Sequence, residues 1–217
     1  MILVSSAAAG MDRHYRYQRF VYDLTRRHYL LGRDTLIGGL VPPDGGSVLE
    51  IGCGTDRNLI HAARRYPDVH LFGIDISAAM LETAGKHVAA AGLAGRIRLA
   101  QDDATTFDTE ATFGIGRFDR IFVSYALSMI SGWHDVLDRA AGALAPQGSL
   151  HVVDFGRCEG LPRLARSALH AWLGWFSVTP RQDLGAVVQA TAARHELDAF
   201  FTPLYRGYAA YAVLTRR

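Results

Sequence analysis

With 217 residues, 49% of them hydrophobic, the chain has material for one sizeable core and too little for two full domains. Its formal net charge of +2 gives no electrostatic reason to expect a nucleic-acid partner. Cys53 and Cys158 are the only cysteines, which excludes zinc-type spacing and a disulfide framework and fits a reducing compartment, the cytoplasm.

The opening stretch MILVSSAAAGM is apolar but has no basic n-region and is too short for a secretory signal. It reads as a frayed tail, and Met11 is an equally good start. Asp12 to Leu40 reads as a helix, with Tyr17, Val21, Leu24 and His28 on one face and Arg16, Arg19, Arg26 and Arg27 mostly elsewhere. Residues 1–40 are thus expected to form a tail and helical lid, and 41–217 the main domain. VPPDGG ends the lid, since two prolines and two glycines punctuate strongly. From Ser47 onward short apolar runs alternate with helical stretches, the signature of a parallel sheet wrapped by helices.

The expected strands are SVLEIG, VHLFGID, RIRLA, FDRIFVSYAL and SLHVVDFG. The expected helices between them are RNLIHAARRY, SAAMLETAGKHVAAAG and WHDVLDRAAGALAPQG, the last two closed by glycine. Such units connect with right-handed crossovers, so a doubly wound sheet is the economical topology. Two more helices follow, LPRLARSALHAWLGWF and DLGAVVQATAARHEL, the second entered through Thr179-Pro180 as a cap and first-turn residue. LDAFFTPLYRGYAAYAVLTR closes the chain as two strands around a turn near Tyr205 to Gly207. No apolar run is long enough to span a bilayer.

The chemistry gathers where strands should end. Gly52 and Gly54 flank Cys53 directly after the first strand, where missing side chains let backbone N–H groups face a ligand at a helix N-terminus. Glu50 precedes that turn, Asp75 ends the next strand, and QDDAT follows the third; in an open sheet all lie at the carboxyl edge. Asp75 is placed to accept from ribose hydroxyls and Asp103 from an adenine amino group, with Ile76 and Met80 covering the ring. Each acid taken alone is as well explained as a cap or a solvated charge; the ordered set favours a nucleoside ligand. A dinucleotide fingerprint would need a third glycine where the chain has Arg57, so a nicotinamide dehydrogenase is disfavoured.

The ExGxGx run of VLEIGCGT, followed by Asp75 and by DDA, resembles the class I S-adenosylmethionine-dependent methyltransferases over most of Ser47 to Gly156. The resemblance implies a Rossmann-like α/β fold with a seven-stranded, mostly parallel sheet and a reversed terminal hairpin. It implies S-adenosyl-L-methionine as cofactor, S-adenosyl-L-homocysteine as product, and no metal. The cofactor set it implies is Glu50, Gly52, Gly54, Asp56, Asp75, Ile76, Met80, Asp103, Ala104 and Ser124. Asp56 departs from the pattern, which has glycine there. Its Cβ restricts φ and its charge opposes the cofactor carboxylate, although aspartate tolerates unusual backbone angles and caps helices well. Weakened cofactor affinity is expected, by about 1 kcal/mol.

A second resemblance rests on HYRYQRFVYDLTRRHYLLGRD, VLEIGCGT and VSYALSMI, and is to the bacterial diacylglyceryl-homoserine N-methyltransferases of betaine-lipid synthesis. It implies three successive methyl transfers to a lipid head-group amine at the inner membrane surface. Arginines interleaved with tyrosines from Met11 to Arg33 agree with a helix lying on anionic lipid, or with a solvated arginine-rich lid. Aromatic faces attract sulfonium and methylated ammonium, which singles out Tyr15, Tyr22, Tyr125 and Tyr208. Arg33 or Arg206 would take the homoserine carboxylate if lid and hairpin converge. Proton loss is expected to water, His14 or His134, with His151 a satisfied core histidine. A phosphatidylethanolamine or soluble small-molecule acceptor, or a non-catalytic lipid-binding module, are the alternatives, and a homo-oligomer stays open.

Overall fold

Strands buried on both faces and helices buried on one produce a three-layer arrangement; the computed structural model describes residues 30–175 and 178–217. The elements in chain order are α1 (Arg33–Gly39), β1 (Ser47–Ile51), α2 (Arg57–Arg65), β2 (His70–Asp75), α3 (Ala78–Ala90), β3 (Ile97–Gln101), α4 (Thr109–Phe113) and β4 (Phe118–Ser124). A single 3-10 turn at Leu127–Met129 follows, then α5 (Trp133–Gly142), β5 (Leu144–Phe155), α6 (Arg163–Trp175), α7 (Leu184–His195), β6 (Leu197–Leu204) and β7 (Ala209–Arg216).

The seven strands lie in the order β3-β2-β1-β4-β5-β7-β6. β1 to β5 run parallel, and β7 pairs antiparallel with both β5 and β6. The fold is therefore the Rossmann-like α/β arrangement with a reversed terminal hairpin that the sequence implied. Strand order reverses at β1, whose neighbours β2 and β4 lead away on opposite sides. The crevice outside its carboxyl end is where such sheets take ligands.

Each face has its own apolar layer. On one, Trp133, Val136 and Leu137 of α5 and Leu184 and Val188 of α7 bury against Leu49, Ile121 and Leu150. Phe72 meets Phe113 and Phe118 edge to face, with ring centroids 5.2 and 5.3 Å apart, a favoured aromatic geometry. On the other face, Leu36 and Ile37 of α1, Leu59 and Ala62 of α2, and Val88 of α3 cover Val48, Leu71 and Phe122. Arg96 fastens the end of α2 to the start of β2 by donating to the carbonyls of Ala63, Tyr66 and Val69.

Several expected boundaries shift for identifiable reasons. The strand FDRIFVSYAL ends at Ser124, because Tyr125 adopts φ 54 and starts the turn. The helix from Trp133 stops at Gly142 and the chain enters β5 at Leu144, where Phe118 pairs with it. α4 lacked an apolar period; its start is set by Asp108, whose side chain accepts from the N–H groups of Glu110 and Ala111. α7 begins after Asp183, not at Thr179-Pro180, and Thr179 N–H instead donates to the Ser128 carbonyl. The lid is no unbroken helix to Leu40: Gly32 stands at φ 89, and α1 begins after it. Leu36, Ile37 and Leu40 are buried with the main core. The rest of the lid, including Tyr15, Tyr22 and His14, lies outside the described residues.

Candidate active site

The loop after β1 is shaped by what it must avoid. Gly52 has φ 72, and a Cβ there would come within 2.7 Å of the Ala126 Cβ in the turn after β4. Its N–H and that of Cys53 both donate to the Ile74 carbonyl, tying the loop to β2. Gly54, at φ 57, donates its N–H to Asp75 at 2.9 Å. The second Asp75 oxygen accepts from Ser77 N–H at 2.9 Å, and Ser77 caps α3 by accepting from Met80 N–H. One carboxylate thus holds the loop and the head of α3 in register and still has lone pairs able to accept further bonds.

Around this clamp stand the other cofactor candidates. Glu50 is buried and accepts from Asn58 Nδ2 at 2.6 Å. Ile76 is 66% exposed directly beyond Asp75, which suits a residue waiting for a ring to cover. Met80 is half-buried in the first turn of α3. Asp103 and Ala104 follow β3, but the Asp103 carboxylate folds back onto Thr105 N–H and Oγ1 at 2.8 and 2.7 Å. Those bonds hold its carboxyl below the usual range. Ser124 ends β4 with its hydroxyl buried and unbonded among the described residues.

Asp56 differs from the expected cap. It precedes α2 at φ 71 and ψ 21, the left-handed backbone expected to be tolerable for aspartate, yet its side chain caps nothing. The residue is fully buried, and neither carboxylate oxygen has a hydrogen-bond partner. Burial pushes its pKa up to about 8, so the group is largely uncharged at neutral pH. The repulsion expected from a permanent charge is thereby mostly removed. Burial, and then the Glu50, Asp56 and Asp75 carboxyls, push the Cys53 thiol far up, leaving it un-ionised and no nucleophile.

The acceptor candidates divide. Tyr125 is fully buried, packs edge-on against Phe155 at 4.7 Å and donates its hydroxyl to the Leu31 carbonyl. In this structure its ring offers no open aromatic face, unlike the face expected of it. Tyr208 is half-buried and also meets Phe155 edge to face, ring centroids 6.0 Å apart. At residue 32 the chain lies against the hairpin: a Cβ on Gly32 would touch Leu204, Tyr205 and Val153. Arg33 follows at this seam with its Nε buried and without a hydrogen bond, 3.7 Å from Asp34. Arg206 is exposed at the hairpin turn. His134 is exposed in the first turn of α5, stacked on Trp133 at 4.0 Å. His151 is the core histidine expected, bonded to Ser149 and Tyr211, and burial lowers its pKa to about 4.

Two site residues went unread in the sequence. Asp154, near the end of β5, is fully buried and accepts from Ser128 N–H at 3.0 Å, fixing the turn after β4. Burial raises its pKa, with Arg181 opposing. Arg181 donates to the carbonyls of Leu127 and Ile130 and completes the turn. The signal for Asp154 was present in VVDFG, an acid closing an apolar run as in FGID. A separate open groove of about 600 Å³ runs along α5 between Thr105 and His195, away from the glycine loop. Among the described residues no cluster of His, Cys, Asp or Glu is arranged to hold a metal.

Comparison with known proteins finds similarity to methyltransferases. Residues 48–148 match the family described as methyltransferase domain. Trans-aconitate 2-methyltransferase of Paracidovorax citrulli is 30% identical over 138 residues, 63% of this chain and 47% of that protein. The chain thus spans less than half the length of that relative. An O-methyltransferase family protein from Burkholderia thailandensis superposes with a TM-score of 0.72 at 18% identity, covering 93% of this chain and 60% of that one. Haemonchus contortus phosphoethanolamine N-methyltransferase 2, solved with S-adenosyl-L-methionine, gives 0.64 at 19% identity, covering 79% and 38%. Residues 48–148 are thus similar to a methyltransferase domain, and the fold is the one seen in S-adenosylmethionine-dependent methyltransferases. The close approach at Gly52, the clamp at Asp75 and the uncovered Ile76 fit that cofactor.

Asp75→Ala is expected to weaken S-adenosylhomocysteine binding at least about tenfold in calorimetry, because two charge-assisted bonds are lost. Unchanged affinity would remove the ribose assignment. Asp56 carries a stability sign as well. The unfolded chain sheds this proton near the usual carboxyl value of 3.8 and the folded one only near 8, so stability falls as pH rises between them. Asp56→Asn should raise the melting temperature by an amount that grows from pH 4 to 8, the penalty relieved being on the order of 4 kcal/mol at pH 7. A pH-independent difference would show that the carboxyl is ionised in place.

Proposed function

We propose that the protein transfers methyl groups from S-adenosylmethionine to the head-group amine of diacylglyceryl-homoserine, in successive rounds that end in the trimethylated betaine lipid. The observation that carries this reading is Arg33, a half-buried guanidinium loosely paired with exposed Asp34 at 3.7 Å and with its Nε buried and without a hydrogen-bond acceptor, set beside the terminal hairpin. An acceptor with a carboxylate close to its amine would satisfy that Nε better than the distant Asp34 does and present nitrogen to the edge. The half-buried Tyr208 offers a ring face to the cationic product. Exposed Leu31, Tyr205 and Arg206 stand at the same seam, a combination suited to a lipid surface. Among the described residues no helix is long and apolar enough to cross a membrane, so the contact proposed is peripheral.

The bound cofactor supplies an electrophilic methyl group on a sulfonium centre. Asp75 and the amides of the glycine loop would hold it, with Ile76 and Met80 against its ring and Glu50 stiffening the loop through Asn58. Because the transfer moves a charge from sulfur to nitrogen without creating one, rate enhancement rests mainly on alignment. Asp154 and Arg181 serve that alignment by fixing the turn beside the crevice. The acceptor must arrive as a neutral amine, and the exposed His134 or water takes its proton. Arg33 would equally suit a small polycarboxylate, and the curated relative that acts on trans-aconitate makes carboxylate methylation the second reading.

Incubation of the purified protein and S-adenosylmethionine with diacylglyceryl-homoserine in mixed micelles should yield mono-, di- and trimethylated lipid by mass spectrometry. Arg33→Ala should raise the KM for the lipid at least about tenfold and leave S-adenosylhomocysteine affinity unchanged. Methylation of trans-aconitate with no lipid product would replace the lipid reading with the second.

A further inference from the structure

Asp56 sits before α2, where the first backbone N–H groups have no helical acceptors, and yet its carboxyl does not serve them. It is fully buried with both oxygens unbonded, an arrangement that costs free energy unless the group is neutral or gains a partner. The charged and titratable groups nearby are already engaged. Glu50 from β1 accepts from Asn58, Asp75 from β2 accepts from Gly54 and Ser77, and His87 from α3 contacts the Thr55 carbonyl through Nδ1. Cys53 is buried in the field of all three carboxyls, and Arg57 is exposed. Among the described residues no cation pairs with Asp56.

Three carboxyls gathered around Cys53, one of them with both oxygens unbonded, call for a ligand cation that donates hydrogen bonds. The amino-acid end of S-adenosylmethionine carries one. We propose that Asp56 is the proton-linked partner of the cofactor's α-ammonium, neutral in the free protein and ionised once the ammonium donates to it. No covalent bond to carbon changes: the carboxyl O–H releases its proton to solvent, and charge-assisted N–H to oxygen bonds take its place. The proposal rests on reading the glycine loop as the cofactor site. The elevated pKa of about 8 places the exchange in an accessible range. Because binding favours the ionised carboxyl, affinity rises with pH below that value, by up to tenfold per pH unit, and levels off above it.

The test is isothermal titration calorimetry of S-adenosylhomocysteine, which has the same amino-acid end, into the full chain and its Asp56→Asn and Asp56→Gly variants. Buffers of different ionisation enthalpy, from pH 6 to 8.5, count the protons exchanged. Asparagine keeps the shape, and glycine accepts the left-handed backbone should asparagine disturb folding. At pH 7 the native protein should release most of one proton more than either variant, and only its affinity should climb from pH 6 to 8. Equal proton counts and parallel pH dependence in all three proteins would overturn the role of Asp56 while leaving the cofactor site intact. No binding by any of them would overturn both.

Discussion

The reversal of strand order at β1 is the constraint from which the site follows. With β2 on one side and β4 on the other, the loops leaving β1 and β4 diverge from a shared line and open a crevice at the carboxyl edge. The two loops still touch at its floor, where Gly52 and Ala126 meet so closely that no side chain fits on the glycine. Asp75, at the end of β2, then reaches across to that loop, holding it by Gly54 and the next helix by Ser77. Shifting any of these three would move both walls of the crevice together.

Carboxyls at this edge differ by environment more than by type. Asp75 is surrounded by backbone donors and is pre-set as an acceptor. Asp103, out in solvent, has turned onto Thr105, so taking an adenine amino group would require it to share those bonds. Asp154 is buried but bonded, and acts by holding the turn of Leu127–Met129. Asp56 alone of these four is buried with neither oxygen bonded, and burial pushes its pKa up to about 8. The same side chain thus yields a clamp, a turn, a brace and a proton reservoir according to the donors within reach.

Much of this was legible in the sequence. Apolar runs ended by acids at Glu50 and Asp75, with GxG after the first, located the edge because strand period and glycine punctuation are local signals. The reversed hairpin was equally readable from two apolar runs around Tyr205 to Gly207. What escaped was set by tertiary contact. Tyr125 reads as an aromatic at a strand end, and nothing nearby announces that the Leu31 carbonyl, far back in the chain, claims its hydroxyl. The end of α5 at Gly142 was hidden because ALAPQG continues an apolar pattern that pairing with Phe118 converts to strand. The neutral state of Asp56 depends on complete burial, which no spacing encodes.

The proposed acceptor side is the seam of α1 with the β6–β7 turn and the proposed cofactor side is β1 and β2, and the proposed transfer requires both to face one crevice. A crystal structure of the protein with S-adenosylhomocysteine tests this most directly. The account predicts ribose hydroxyls on Asp75, the amino-acid end between Gly54 and Asp56, and the sulfur directed toward Tyr208 and Arg33. Ligand seated in the groove along α5, or with its sulfur turned away from the hairpin, would contradict it.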